Sequence, residues 1–106
     1  MRCVHTLFAS VLVLWSIPAL SAESLNCRRA SLADEIAICD RAQLRNLHHR
    51  MALLYVEVGK RVKDRTQFRQ EQRLFISKRR ACGGDFNCLK ATYDERISEF
   101  NSMKHH

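Results

Sequence analysis

The chain has 106 residues, 18 Lys and Arg against 11 Asp and Glu for a formal +7, and five cysteines. That length allows one domain at most, with a core too small to stabilise a fold generously without cross-links. Its longest apolar run, Leu7 to Ile17, is eleven residues. At about 1.5 Å per residue that run cannot cross a hydrocarbon layer of about 30 Å, so a membrane-spanning chain is excluded.

The same run has Arg2 ahead of it and Pro18, Leu20, Ser21 and Ala22 behind it. A charged start, a short apolar middle and small residues before a cut read as a secretory signal peptide over 1–22, cleaved after Ala22. Cys3 and Trp15 leave with it. The domain then runs over 23–106 with a formal +6, and Cys27, Cys39, Cys82 and Cys88 remain. An even number of cysteines in a short exported chain reads as two disulfides, in a periplasmic or secreted protein.

Apolar residues recur three and four apart and never alternate, so the expected fold is all-α, a small disulfide-stapled bundle of about four helices without a sheet, two long ones antiparallel. The first helix is expected from Ser31, whose hydroxyl would cap it with Asp34 three residues on, to Cys39 or Asp40. The second carries Leu44, Leu47, Met51, Leu54, Tyr55, Val58 and Val62 on one stripe. After the turn "KDRT", with Asp64 or Thr66 as cap, the third spans about Gln67 to Arg80 with Phe68 and Phe75 inward. Gly83 and Gly84 end it. The fourth runs from about Asn87 to Met103 with Leu89, Tyr93, Ile97 and Phe100 inward, and 104–106 fray.

"NCRRASLADEIAICDRAQLRNLHHRMALLY", followed by "FRQEQRLFISKRRACGGDFNCLKATYDERISEF", resembles the N-terminal domain of the exported LprI-type lysozyme inhibitor family. The matching positions are Cys27, Ala30, Glu35, Ile38, Cys39, Leu44, Leu47 and Tyr55, then Gln72, Arg73, Phe75, Arg79, Cys82, Cys88, Leu89, Arg96 and Ile97. The resemblance covers nearly the whole domain and keeps the order of the four cysteines. His48 stands where the pattern usually has Asp, Phe75 where it has Trp, and Arg80 where an acid is common. It implies a lysozyme or another wall hydrolase as partner. A basic lysozyme and a +6 chain repel at long range, so inhibition would rest on local contact with the two carboxylates of the enzyme's cleft.

Four cysteines allow three pairings; the local one, Cys27 with Cys39 and Cys82 with Cys88, is preferred because Gly83 and Gly84 let the short loop close. Eleven and five intervening residues fit neither the usual zinc spacing nor Cys-x-x-Cys, so no metal, cofactor or redox role is expected. Gln72 and Arg79 lie on the inward side of the third helix with Phe68 and Phe75. A buried guanidinium needs acceptors, and Glu35 is the expected partner, giving a structural polar network of Glu35, Gln72 and Arg79. His48 and His49 have no identifiable nucleophile nearby, and no enzyme is expected.

The charge excess sits in 60–80, with nine basic and two acidic residues. Arg65, Arg69, Arg73 and Arg80 fall on one stripe beside the apolar face. Two functions follow. In the first, a hydrolase cleft is occluded by the loop "KRRACGGDFNC", presenting Lys78, Arg80, Asp85 or Phe86. In the second, the arginine stripe holds anionic envelope polymers or lipids, with no enzyme target. Export argues against nucleic acid, although arginine binds phosphate well.

Overall fold

The computed structural model describes residues 25–104. The expected signal peptide and the last two residues of the tail lie outside the described residues. Four helices follow in order: α1 Ala33–Asp40, α2 Ala42–Gly59, α3 Arg65–Ala81 and α4 Phe86–Met103. No strand occurs among the described residues, and no helix there is long and apolar enough to cross a membrane. The all-α, disulfide-stapled bundle read from the periodicity is the observed architecture.

Short connections force neighbouring helices to fold back on one another. Between α1 and α2 only Arg41 leaves the helical conformation, at φ −117° and ψ 121°. Arg45 donates from its guanidinium to the carbonyl of Cys39, satisfying one of the acceptors left open at the end of α1. α3 starts at its cap Asp64, which accepts from the Gln67 amide at 3.0 Å. α4 starts at Asp85, which accepts from the Cys88 amide at 2.8 Å. Each carboxylate also sits at the positive end of its helix, so cap and dipole act together. Both helices therefore begin a residue or two earlier than the apolar pattern suggests.

The start of α1 differs from the sequence reading. Its cap position is Leu32, and Glu35 reaches back to accept from the amides of Ser31 and Leu32 at 3.1 and 3.2 Å. Ser31 does not cap, and Asp34 faces the core instead, 2% exposed. Asp34 is one turn before the buried Ile38, which places it on the inward face, whereas Glu35 lies about 100° further round the helix.

The core is built mainly where α4 lies along α2. Leu44, Met51, Leu89, Tyr93 and Phe100 are completely inaccessible. Val62 falls in the turn after α2 and is only half-buried, as are Leu54 and Tyr55 of the expected stripe. α3 closes the core through Phe68 and Phe75. Phe68 stacks on Tyr55 with centroids 4.8 Å apart and planes 17° from parallel, and Phe75 meets Tyr93 edge-on at 5.3 Å. Gly59 permits the first contact, since a Cβ there would stand 3.1 Å from the Phe68 ring.

Both disulfides pair locally, Cys27 with Cys39 and Cys82 with Cys88, with Cα separations of 5.6 and 5.5 Å. The first ties the chain before α1 to the end of that helix. The second closes the corner between α3 and α4, where Gly83 takes φ +59°, the left-handed conformation that only glycine adopts without penalty. Loop-closure entropy for sequence separations of 12 and 6 gives each bridge roughly 2–3 kcal/mol.

Candidate functional site

The three faces of α3 carry different chemistry, because 17 residues at 100° per residue distribute an arginine-rich sequence around the whole helix. Phe68, Gln72, Phe75 and Arg79 face the core and are all buried. Arg65, Arg69, Arg73 and Arg80 are all exposed, and Arg65 and Arg69 stand on the flank nearer α2. Gln67, Glu71, Leu74 and Lys78 line the flank nearer α4.

The buried face holds two separate ion and hydrogen-bond sets, not the single network expected from sequence. Arg79, 1% exposed, donates from Nε to Asp34 Oδ2 at 2.7 Å. Its carboxylate partner is therefore Asp34 and not Glu35, which is occupied at the start of α1. Gln72 lies two turns away and belongs to the second set. There Arg96 of α4 donates from Nε to Gln72 Oε1 at 3.0 Å and from Nη1 to Glu99 at 2.9 Å. Arg96 also lies 4.1 Å over the Phe100 ring, while the Gln72 amide contacts the Met51 sulfur at 3.4 Å. Asp34, Gln72 and Arg79 are too deep to meet a ligand, whereas Glu99 is half-exposed and lines the α3–α4 groove beside Arg96. The two sets fix how α3 sits against α1 and α4, and losing a member of either set takes a partner from a buried charge.

At the stapled corner the four contact candidates part company. Lys78 forms an exposed ion pair with Glu95 of α4 at 3.3 Å. Asp85 caps α4, and Phe86 is half-buried beneath Arg41, whose guanidinium stands 4.3 Å from the ring centroid. Arg80 is exposed and, unlike the other three, has no ion pair, cap or ring contact among the described residues. The loop around it is held by the disulfide, the Asp85 cap and a hydrogen bond from the Gly83 amide to the Arg80 carbonyl at 3.1 Å.

The flanks of α3 differ most in charge. Between α2 and α3 lies a cleft of about 210 Å³ lined by Tyr55, Val56, Gly59, Lys60, Arg65, Phe68 and Arg69, with three cations and no acid. Between α3 and α4 lies a groove of about 410 Å³ whose lining mixes Glu71, Glu95 and Glu99 with Lys78 and Arg96. Glu57, the acid on α2, turns the other way and pairs with Arg61 and Lys104 at 3.7 and 3.4 Å. Lys60, Arg65, Arg69 and Arg73 form no ion pair among the described residues.

His48 and Tyr93 meet at 2.8 Å between Nδ1 and the phenol oxygen, on the α2–α4 contact and away from either flank. No group of three or more His, Cys, Asp or Glu is placed to hold a metal among the described residues. Asp34 and Arg96 organise the two polar sets, although the sequence places Asp34 in a capping pair with Ser31 and gives Arg96 no polar partner. Arg96 was legible as a charged residue one turn before Phe100 on the inward face; nothing local singles out Asp34. Compared with known family models, curated proteins and solved structures, the chain shows no match.

Proposed function

We propose that the chain is an exported binding protein of the LprI type, acting without chemistry of its own and occluding the substrate cleft of a lysozyme or related wall hydrolase. The observation that carries this reading is Arg80, exposed and without an ion-pair partner among the described residues, at the rim of a corner closed by Cys82–Cys88. A rigid corner pays little ordering entropy on docking, and a free guanidinium can meet a carboxylate through two parallel hydrogen bonds. Lys78, Asp85 and Phe86 support the corner, so the contact reduces to Arg80 and the backbone around Gly84 and Asn87. The resemblance, which keeps the order of the four cysteines, supplies the target class.

The test is a titration of lysozyme activity with the oxidised protein, alongside Arg80→Glu. Inhibition by the parent and at least about tenfold weaker inhibition by the variant, with unchanged helical circular dichroism, is the expected result. No inhibition at any molar excess sinks the proposal.

A second reading, an envelope module that holds anionic polymers or lipids with no enzyme target, is favoured by a different observation. The α2–α3 cleft has three cations and no acid in its lining.

A further inference from the structure

Resting on the second reading but independent of any hydrolase target, we infer that the face shared by α2 and α3 docks on an anionic lipid bilayer surface. The face is flanked by Lys60, the residue that caps the end of α2, and by Arg65 and Arg69 of α3, which together line the acid-free cleft. Arg73 continues the arginine file one turn further along α3. The acids closest in sequence are engaged or turned away. Glu57 pairs with Arg61 and Lys104, Asp64 caps α3, and Glu71 lines the groove toward α4.

What selects a bilayer over a soluble polyanion is the apolar surface among these cations. Val56 lines the same cleft and is 56% exposed, and Leu53, one turn earlier on α2, is 59% exposed. The core-facing residues of α2, Leu44, Leu47, Met51 and Val58, point the other way, so Leu53 and Val56 serve no packing role in the bundle. Branched apolar side chains flanked by lysine and arginine match the boundary where anionic headgroups meet acyl chains. A polysaccharide would use only the cations. The docking is peripheral, since no helix among the described residues is long and apolar enough to span.

Each basic residue close to an anionic surface contributes about fivefold to partitioning, so three should contribute about 100-fold together. The experiment sediments the processed, oxidised protein with vesicles of phosphatidylcholine containing phosphatidylglycerol, and with phosphatidylcholine alone. Two variant proteins are compared with the parent, Lys60→Glu/Arg65→Glu/Arg69→Glu and Leu53→Ser/Val56→Ser. All carry the same N-terminal segment, so differences among them report this face. A parallel arm measures retention on immobilised polygalacturonate.

The expected result is binding to the anionic vesicles only, lowered by 0.5 M salt and lost in the charge-reversed variant. The Leu53→Ser/Val56→Ser protein should partition about tenfold less while keeping its polygalacturonate retention. Lack of vesicle binding, or binding that the charge reversal leaves intact, overturns the inference. Vesicle binding indifferent to Leu53 and Val56, with equal retention on polygalacturonate, also overturns it and leaves the wider polyanion reading standing. Failure in both arms removes that reading as well. All the substituted side chains are exposed, and unchanged circular dichroism checks the fold. Should the triple variant unfold, Arg65→Gln/Arg69→Gln supplies the same comparison with an expected loss of about 25-fold.

Discussion

The buried pair between Asp34 and Arg79 gives a sharp test of how this bundle is held. The two groups meet at 2.7 Å with side chains 2% and 1% exposed, so water screens neither of them. At about 4 Å between charge centres and an effective dielectric of about 20, their attraction is about 4 kcal/mol. Replacing Asp34 by Ala removes that attraction and the Nε hydrogen bond from a guanidinium that stays buried, for which a loss of about 3–5 kcal/mol is expected. A domain of this size has roughly 4–12 kcal/mol in total. Asp34→Ala should therefore unfold at markedly lower urea, with its m-value unchanged. Glu35→Ala is the internal comparison, since Glu35 contributes only the hydrogen bonds to the Ser31 and Leu32 amides and should cost about 1 kcal/mol. Urea melts of the oxidised proteins, followed by circular dichroism, decide the matter. Equal losses, or a larger loss at Glu35, would refute the assignment of Asp34 as the partner. The double variant Asp34→Leu/Arg79→Met should recover most of the stability, because two well-packed apolar side chains replace a desolvated pair at little net cost.

Two further predictions concern the stapled corner. Replacing Cys82 and Cys88 together by Ser should cost roughly 2–3 kcal/mol in the same urea melts, and non-reducing peptide mapping of the parent should recover Cys27 with Cys39 and Cys82 with Cys88 as the only linked pairs. Gly83→Ala places a Cβ at φ +59° in otherwise open space, so it should destabilise by about 1–2 kcal/mol through backbone conformation alone; an unchanged midpoint would contradict the left-handed assignment.

The helices were legible because their apolar periodicity is local, and the bundle needs only that one face of each be buried. Polar partners were less legible. Ser31 and Asp34 spell a capping pair in sequence, but a residue 45 positions away draws Asp34 inward, and no local pattern records that distance. Gln72 and Arg79 were rightly placed on the inner face of α3; which helix each would meet depends on crossing geometry that spacing does not encode. Leu53 and Val56 are visible as apolar residues in the second helix, yet they lie off the stripe that defines its core face. Their relation to the arginines appears only once α3 is laid beside α2.

Net charge is a poor guide to partners here, because α3 has an all-cationic cleft on one side and a groove of paired acids and bases, Lys78 with Glu95 and Arg96 with Glu99, on the other. Separation along the helix matters as well. Arg65 and Arg80 are fifteen residues apart, about 22 Å at 1.5 Å per residue, well beyond the roughly 8 Å screening length at physiological salt. A contact at the stapled corner and one at the α2–α3 cleft would thus be almost independent energetically. A chain docked through Lys60, Arg65 and Arg69 would still present Arg80 at its far end. Raising the salt should release the diffuse surface contact first, while a close guanidinium–carboxylate pair shielded inside a cleft is screened less.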